Sequence, residues 1–223
     1  LRLALASGEV MLRASGALWL ARESALVVAD LHLEKGSAYA ARGQLLPPYD
    51  TRETLARLEA EVAALEPRRV VLLGDTFHDR KSETRIAADD ADRLRTLAAR
   101  RTLVWVVGNH DADGPQTLPG ETAAELSLAG LTLRHEPAAG PAPGEAAGHL
   151  HPAAKVRAAR GTVRRRCFVT DGERIVLPAF GAYAGGLNVR DEAFAGLFAR
   201  PPLAGALGKA RVHAIGWRSL AAD

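Results

Sequence analysis

The chain has 223 residues, 48% hydrophobic and 25% charged, enough to bury a substantial core and suited to a single α/β domain over 1–223. No apolar run approaches the ~20 residues needed to cross a bilayer, and the first twenty residues mix Arg2, Glu9 and Arg13 among small apolar ones, so neither a membrane anchor nor a secretory signal is expected. The single cysteine, Cys167, excludes an internal disulfide and fits a reducing cytoplasm, while a net charge of +3 says nothing about partners unless the basic residues cluster.

Four apolar runs read as strands buried on both faces. The run over 24–29 ends at Asp30, and that over 69–73 ends at Gly74-Asp75. The run over 102–107 ends at Gly108-Asn109-His110-Asp111, and that over 131–133 ends at Arg134-His135. Between the first two, residues 51–65 read as a helix. Leu55, Leu58, Val62 and Leu65 form one stripe, Asp50 and Glu53 fit a capping box, and Pro67 ends it. A second helix is expected over 83–100, with Ile86, Leu94 and Leu97 inward. Strands alternating with helices indicate a layered α/β fold. Farther on, residues 140–144 are a Pro/Gly loop. Residues 167–170 and 174–177 form a hairpin about Asp171-Gly172, in which Cys167 reads as a buried small residue. Residues 180–188 form a glycine-containing loop, and Phe194, Leu197 and Phe198 suggest a short helix.

The chemistry-bearing residues stand where the apolar runs stop. In α/β sheets ligands bind beyond the carboxyl ends of strands. Asp30-Leu31-His32, Gly74-Asp75, Gly108-Asn109-His110-Asp111, His135 and Gly148-His149-Leu150-His151 all occupy such places or loops. With His78, three residues past Asp75, they account for six of the seven histidines, all but His213. One Asp-x-His or one Gly-Asp is a weak signal, and an isolated histidine is more often structural than a ligand. Five such elements together are not readily explained by packing. Carboxylate, imidazole and amide oxygen favour Mn, Fe or Zn over Ca, and the thiolates of structural zinc are missing. In an extended segment, alternation would place Asp30 with His32, and His149 with His151, on one face. A shared carboxylate can hold two cations ~3.5–4 Å apart, a separation suited to neutralising a phosphate and activating water.

The order DLH, GD, GNHD, H, GHLH resembles the calcineurin-like metallophosphoesterases. The stretches DLHLEKG, LLPPYDTRETL, LLGDTFHD, RHEP, GHLHP, RRRCFV and LPAFGAYAGGLNV are similar to the bacterial ligase-associated DNA damage response endonucleases, over about 30–189. The resemblance implies two mixed β-sheets packed face to face and flanked by helices. It implies that Asp30, His32 and His151 hold one divalent transition-metal ion and that Asn109, His135 and His149 hold a second. Asp75 would bridge the two, with Mn2+ the favoured ion and Fe or Zn as alternatives. His110 would contact the phosphate or protonate the leaving oxygen. The wider family often carries Gly-Asp-x-x-Asp, whereas here His78 stands three residues after Asp75 and Asp79 one later. His78 is therefore either a phosphate contact or a solvent-facing loop histidine.

Lys155, Arg157, Arg160, Arg164, Arg165 and Arg166 place six cations within twelve residues, just past the last histidine pair. Such a run is either a solvated face or a contact for a phosphate backbone. Arg164, Arg165 and Arg166 are the candidate nucleic-acid contacts. The leading reading is a phosphodiesterase that cuts single-stranded DNA internally; the resemblance is the main ground for DNA as substrate, and it implies functional association with DNA ligase, helicase and exonuclease-like repair proteins. A phosphomonoesterase or small-molecule phosphodiesterase on the same scaffold is the alternative. A catalytically silent interaction module is a third, disfavoured by the complete ligand set.

Overall fold

The apolar runs become neighbouring strands because their alternate residues must cover two different layers. The computed structural model describes residues 1–5, 8–158 and 161–223. Among these, two mixed sheets of seven and ten strands form. The first runs β1 (Arg2–Leu5), β2 (Gly8–Leu12), β3 (Leu18–Leu20), β4 (Ala25–Ala29), β5 (Arg69–Leu73), β6 (Thr102–Val106) and β7 (Glu121–Ala123), in spatial as in chain order. The first four are antiparallel, and β4 to β7 are parallel. Their register sets Ala29 beside Leu73 and Leu73 beside Val106. The chain therefore leaves these strands at one level, and the residues that follow converge.

The second sheet contains β8 (Glu125–Leu128), β9 (Leu131–Arg134), β10 (Glu145–Ala147), β11 (Pro152–Ala158), β12 (Gly161–Thr170), β13 (Ile175–Val176) and β14 (Leu187–Asn188). Its spatial order is β14-β11-β12-β13-β10-β9-β8. Strand β15 (Leu203–Leu207) joins it through β12, β16 (Val212–Gly216) pairs with β15, and β17 (Leu220–Ala221) pairs with β11. The parallel neighbours β9 and β10 end at Arg134 and Ala147, just before His135 and Gly148.

Period-two alternation explains the layers. Val27, Ala29, Val71, Leu73, Val104 and Val106 pack against Leu131, Leu133, Ala146, Phe168 and Ile175 of the second sheet. Leu26, Val28, Val70, Leu72, Leu103 and Trp105 point the other way, against helices. The helices are α1 (Lys35–Ala40), α2 (Asp50–Leu65), α3 (Ser82–Arg85) and α4 (Ala88–Arg100). Leu55, Leu58 and Val62 of α2 and Leu94 and Leu97 of α4 form that layer. Each such buried side chain contributes about 1.5–3 kcal/mol. A charge at Val71 would have to desolvate between the sheets.

Three local expectations need correction. Asp50 does not cap α2, whose N-cap is Tyr49 with no side-chain cap bond. Its Oδ2 instead accepts the Gly36 N–H at 3.0 Å, which ties α1 to α2. The helix expected over 83–100 breaks at Ile86, whose ψ of 134° is extended. There Arg85 donates to Asp79 and Ser82, closing α3 as a separate turn. The short helix expected near Phe194 is a 3-10 turn over Glu192–Phe194, started by the Asp191 side chain accepting from the Ala193 N–H. The hairpin about Asp171-Gly172 forms, with Thr170 opposite Ile175. Cys167, buried in β12 ahead of that hairpin, pairs with Ala206 of β15.

Candidate metal centre

Asp30 and Asp75 are carboxylates at 0% and 2% exposure, the first residues past β4 and the second past β5. Neither pair of Asp and His is presented by pleat alternation, as the sequence suggested. Asp30 (φ 54°), His32 (φ 46°), His149 (φ 68°) and His151 (φ 45°) all adopt left-handed backbone, as does Asp75 (φ 44°). Left-handed conformations are uncommon outside glycine and cluster where a site imposes strain. Here they turn Asp30 and His32 the same way while Leu31 remains buried at 1% exposure in the helix-facing core.

The loops bring seven candidate ligands together. His32 Nε2 lies 3.1 Å from His151 Nε2, and His151 Nε2 lies 3.4 Å from Asp30 Oδ1. On the other side, His135 Nε2 is 2.9 Å from Asn109 Oδ1 and 3.1 Å from His149 Nδ1. Asp75 stands between these sets. Its Oδ1 is 3.4 Å from His135 Nε2, and its Oδ2 is 3.9 Å from His32 Nε2. Asp30, His32 and His151 form one potential metal-binding group, and Asp75, His135 and His149 another. Imidazole nitrogens facing each other and facing buried carboxylates suit a divalent cation between them, so the donor set fits. Burial first, then the neighbouring His151, His110, His78 and Lys35, lower the His32 pKa to about 2 and keep it in the neutral, ligating form.

Two glycines permit this crowding. A Cβ on Gly108 would lie 2.3 Å from Asp75 Oδ1 and 2.4 Å from its backbone nitrogen. A Cβ on Gly74, which also has φ +72°, would overlap the His135 ring. Asp111 then locks the loops, a role its motif membership alone did not reveal. Its Oδ1 accepts the Gly108 N–H (2.9 Å), while Oδ2 accepts those of Thr76 (2.8 Å) and Phe77 (3.2 Å). Burial raises the Asp111 pKa against the opposing pull of those amides.

A calcineurin-like phosphoesterase family model matches residues 24–153, more than half the chain and every position of the centre. The chain belongs to this family. The structure is similar to that of the Pseudomonas putida nuclease MPE, with a TM-score of 0.72 and 27% identity over 96% of this chain and 99% of that one. Yfce, a phosphoesterase from E. coli, aligns at 16% identity and a TM-score of 0.41, covering 86% of this chain and 98% of that chain. No curated protein matches the chain in sequence.

In this phosphoesterase, His110 has 39% side-chain exposure at the mouth of the centre. Its backbone N–H donates to Asp75 Oδ1 at 2.9 Å, and its Nε2 lies 3.9 Å from Asp75 Oδ2. Its Nδ1 is 2.6 Å from the His78 carbonyl oxygen, which accepts that N–H. A main-chain carbonyl thus takes the place open to a carboxylate partner, and Asp79 turns away to Arg85. The His78 ring stacks on His110 with centroids 5.5 Å apart. Burial first, then Lys35 and His110, lower its pKa to about 4 against the opposing Asp79.

The basic run divides by position. Arg166 is partly buried and donates to the carbonyls of Ala179, Ala182 and Ala184, holding the 179–184 loop. Arg164 pairs with Asp223 and donates to the Gly186 carbonyl. Lys155, opposite Arg164 in the ladder, shares Asp223. Arg157 and Arg165 are exposed. Arg160 lies outside the described residues. Arg134 pairs with Glu125 at 2.6 Å.

Proposed function

We infer that the chain is a metal-dependent phosphodiesterase that cuts single-stranded DNA, of the ligase-associated DNA damage response branch. The observation that carries this reading is Asp75 presenting one carboxylate oxygen to each of two histidine-containing ligand sets. Asp30, His32 and His151 would hold one ion and Asn109, His135 and His149 the other, with Asp75 shared. Mn2+ is the favoured ion. When bound, the ions supply charge neutralisation at phosphorus and an activated water.

The protein's own groups account for the remaining chemistry. The His78 carbonyl accepts Nδ1–H of His110 whether that ring is neutral or cationic. Nε2 is therefore the atom that exchanges a proton, and it passes one to the departing sugar oxygen. Preference for a polymeric diester is supported by the similarity to a nuclease over nearly the whole chain. It is supported too by the β11–β12 hairpin, which begins at Pro152, directly after His151, and carries Arg157 and Arg165. Six residues of strand extend ~20 Å, and the ladder puts Arg157 on the face of Arg164 and Arg166 and Arg165 on the other, so Arg157 is the exposed cation within reach of a DNA strand that follows the first face. A place beside DNA ligase, helicase and exonuclease-like repair proteins belongs to the same reading.

Hydrolysis of a single-stranded oligonucleotide should exceed that of 4-nitrophenyl phosphate in kcat/KM under saturating Mn2+. The reverse order would favour the phosphomonoesterase alternative.

A further inference from the structure

The chain has three tyrosines, Tyr39, Tyr49 and Tyr183, and the site chemistry just described uses none of them. Tyr39, on α1, lies with its ring centroid 5.9 Å from that of His78, which in turn stacks on His110. The result is an aromatic row leading outward from the proton-transfer group. Lys35, one turn earlier on α1, has its Nζ 5.9 Å from the Tyr39 ring centre. Its hydrogen bond among the described residues is to the Tyr183 carbonyl, at 3.1 Å. An ammonium carries three donors, so two remain available. Tyr183 lies on the loop that Arg166 holds. Tyr49 is 61% exposed.

Buried hydrogen bonds join the scaffold beneath this row. Glu34 and Thr51 exchange two hydrogen bonds, Glu34 N–H to Thr51 Oγ1 (2.8 Å) and Thr51 Oγ1 to Glu34 Oε1 (2.9 Å). With the Asp50–Gly36 bond they fix α1 to the start of α2. Glu34, Asp50 and Thr51 are all buried. Buried polar groups joined in this way hold one arrangement, which for an otherwise short helix is a demand that packing alone does not explain. Cationic and aromatic groups alternating along a groove are the combination that binds a single strand, the cations meeting phosphates and the rings meeting bases.

We propose that Lys35 and Tyr39 form a nucleotide-binding subsite beside the metal centre, Lys35 meeting the phosphate next to the one that is cut and Tyr39 stacking on the intervening base. This rests on the nuclease reading above and adds to it the residues that would grip the flanking nucleotide. Because the ring accepts any base face, the subsite selects for an unpaired strand and not for a sequence.

The test compares Mn2+-loaded wild type with Tyr39→Leu, Tyr39→Phe and Lys35→Gln on short single-stranded oligonucleotides. In further substrates, one position at a time near the cleaved bond is made abasic or carries an uncharged methylphosphonate. Tyr39→Leu should lower kcat/KM roughly 10-fold, and Tyr39→Phe, which keeps the ring, should restore it. Removing the stacked base should abolish the difference between wild type and Tyr39→Leu. Lys35→Gln keeps an N–H donor for the Tyr183 carbonyl but no charge. It should lower kcat/KM on DNA and make its log–log salt dependence shallower by ~0.7. The neutral linkage at one position should remove that loss. Lys35→Gln behaving as wild type would make Lys35 only a loop anchor and overturn the proposal. A Tyr39→Leu penalty that persists on every abasic substrate would also overturn it, marking the ring as structural. Wild type that cuts no DNA would overturn the nuclease reading and this subsite together; wild type that cuts DNA as well as all three variants do would overturn the subsite alone.

Discussion

Asp75 offers an oxygen to each ligand set, so its loss should be felt at both. Asp75→Ala should lose both ions at metal concentrations that saturate the wild type, measured as metal per chain after equilibrium dialysis. Two ions bound with unchanged affinity would remove the bridging role. His110 touches no ion in this scheme. His110→Ala should keep its metal content and lose roughly 10²–10⁴-fold in turnover, whereas near-normal turnover would take it out of proton transfer. Asp111 accepts three loop amides in a buried position. Asp111→Ala leaves them without an acceptor, at about 1–3 kcal/mol each, and should lower unfolding stability by several kcal/mol in denaturant titration. A loss under about 1 kcal/mol would mean that water takes over those amides. The seven candidate ligands were legible in the sequence because Asp, Asn and His recur where apolar runs stop. Asp111 was legible only as a motif letter, since no pattern distinguishes a ligand from an acceptor that fastens two loops. Lys35 and Tyr39, the residues of the proposed subsite, carried no signal in the sequence, where Tyr39, Tyr49 and Tyr183 are scattered. A lysine and a tyrosine on a short amphipathic turn resemble any solvated pair until the loop over 181–186 is folded beside them.

At the scale of elements, the four apolar runs became β4, β5, β6 and β9 with ends displaced by a residue at most; β4, β5 and β6 are buried on both faces as expected, whereas β9 alternates, with Leu131 and Leu133 buried and Thr132 and Arg134 half-buried. Where tertiary contacts compete with local pattern, the local reading failed. Asp50 has the spacing of a cap, yet a buried amide on α1 claims its carboxylate. Residues 83–100 have helical periodicity, yet the Asp79–Arg85 pair closes the first turn separately. The arginine run is similarly divided by the alternation of β12, which turns Arg166 inward and leaves Arg165 out. Arg166→Ala should therefore loosen the 179–184 loop and lower melting temperature. Arg157→Ala with Arg165→Ala should leave melting unchanged, weaken binding of single-stranded DNA and flatten its salt dependence. Equal melting losses in both would show that the hairpin arginines are structural as a group.

For the whole molecule, the two sheets and the helical layer bring five separate segments to one edge. That places buried carboxylates and imidazoles within a few ångströms of one another, an arrangement that costs free energy without a cation. Metal should therefore stabilise the fold, by about 2.7 kcal/mol at a hundred times its dissociation constant. Chelation should lower the melting temperature by roughly 5–10 °C in a chain of this size. An unchanged melting curve would contradict a resident metal centre. No helix among the described residues is long and apolar enough to cross a membrane. The most direct test of the function is a covalently closed circle of single-stranded DNA, which offers no end to an exonuclease and no monoester to a phosphatase. Mn2+-loaded protein should convert the circle to linear strands and then to fragments, and Asp75→Ala should not. Circles left intact with every divalent transition metal tried, beside brisk hydrolysis of phosphomonoesters, would contradict it.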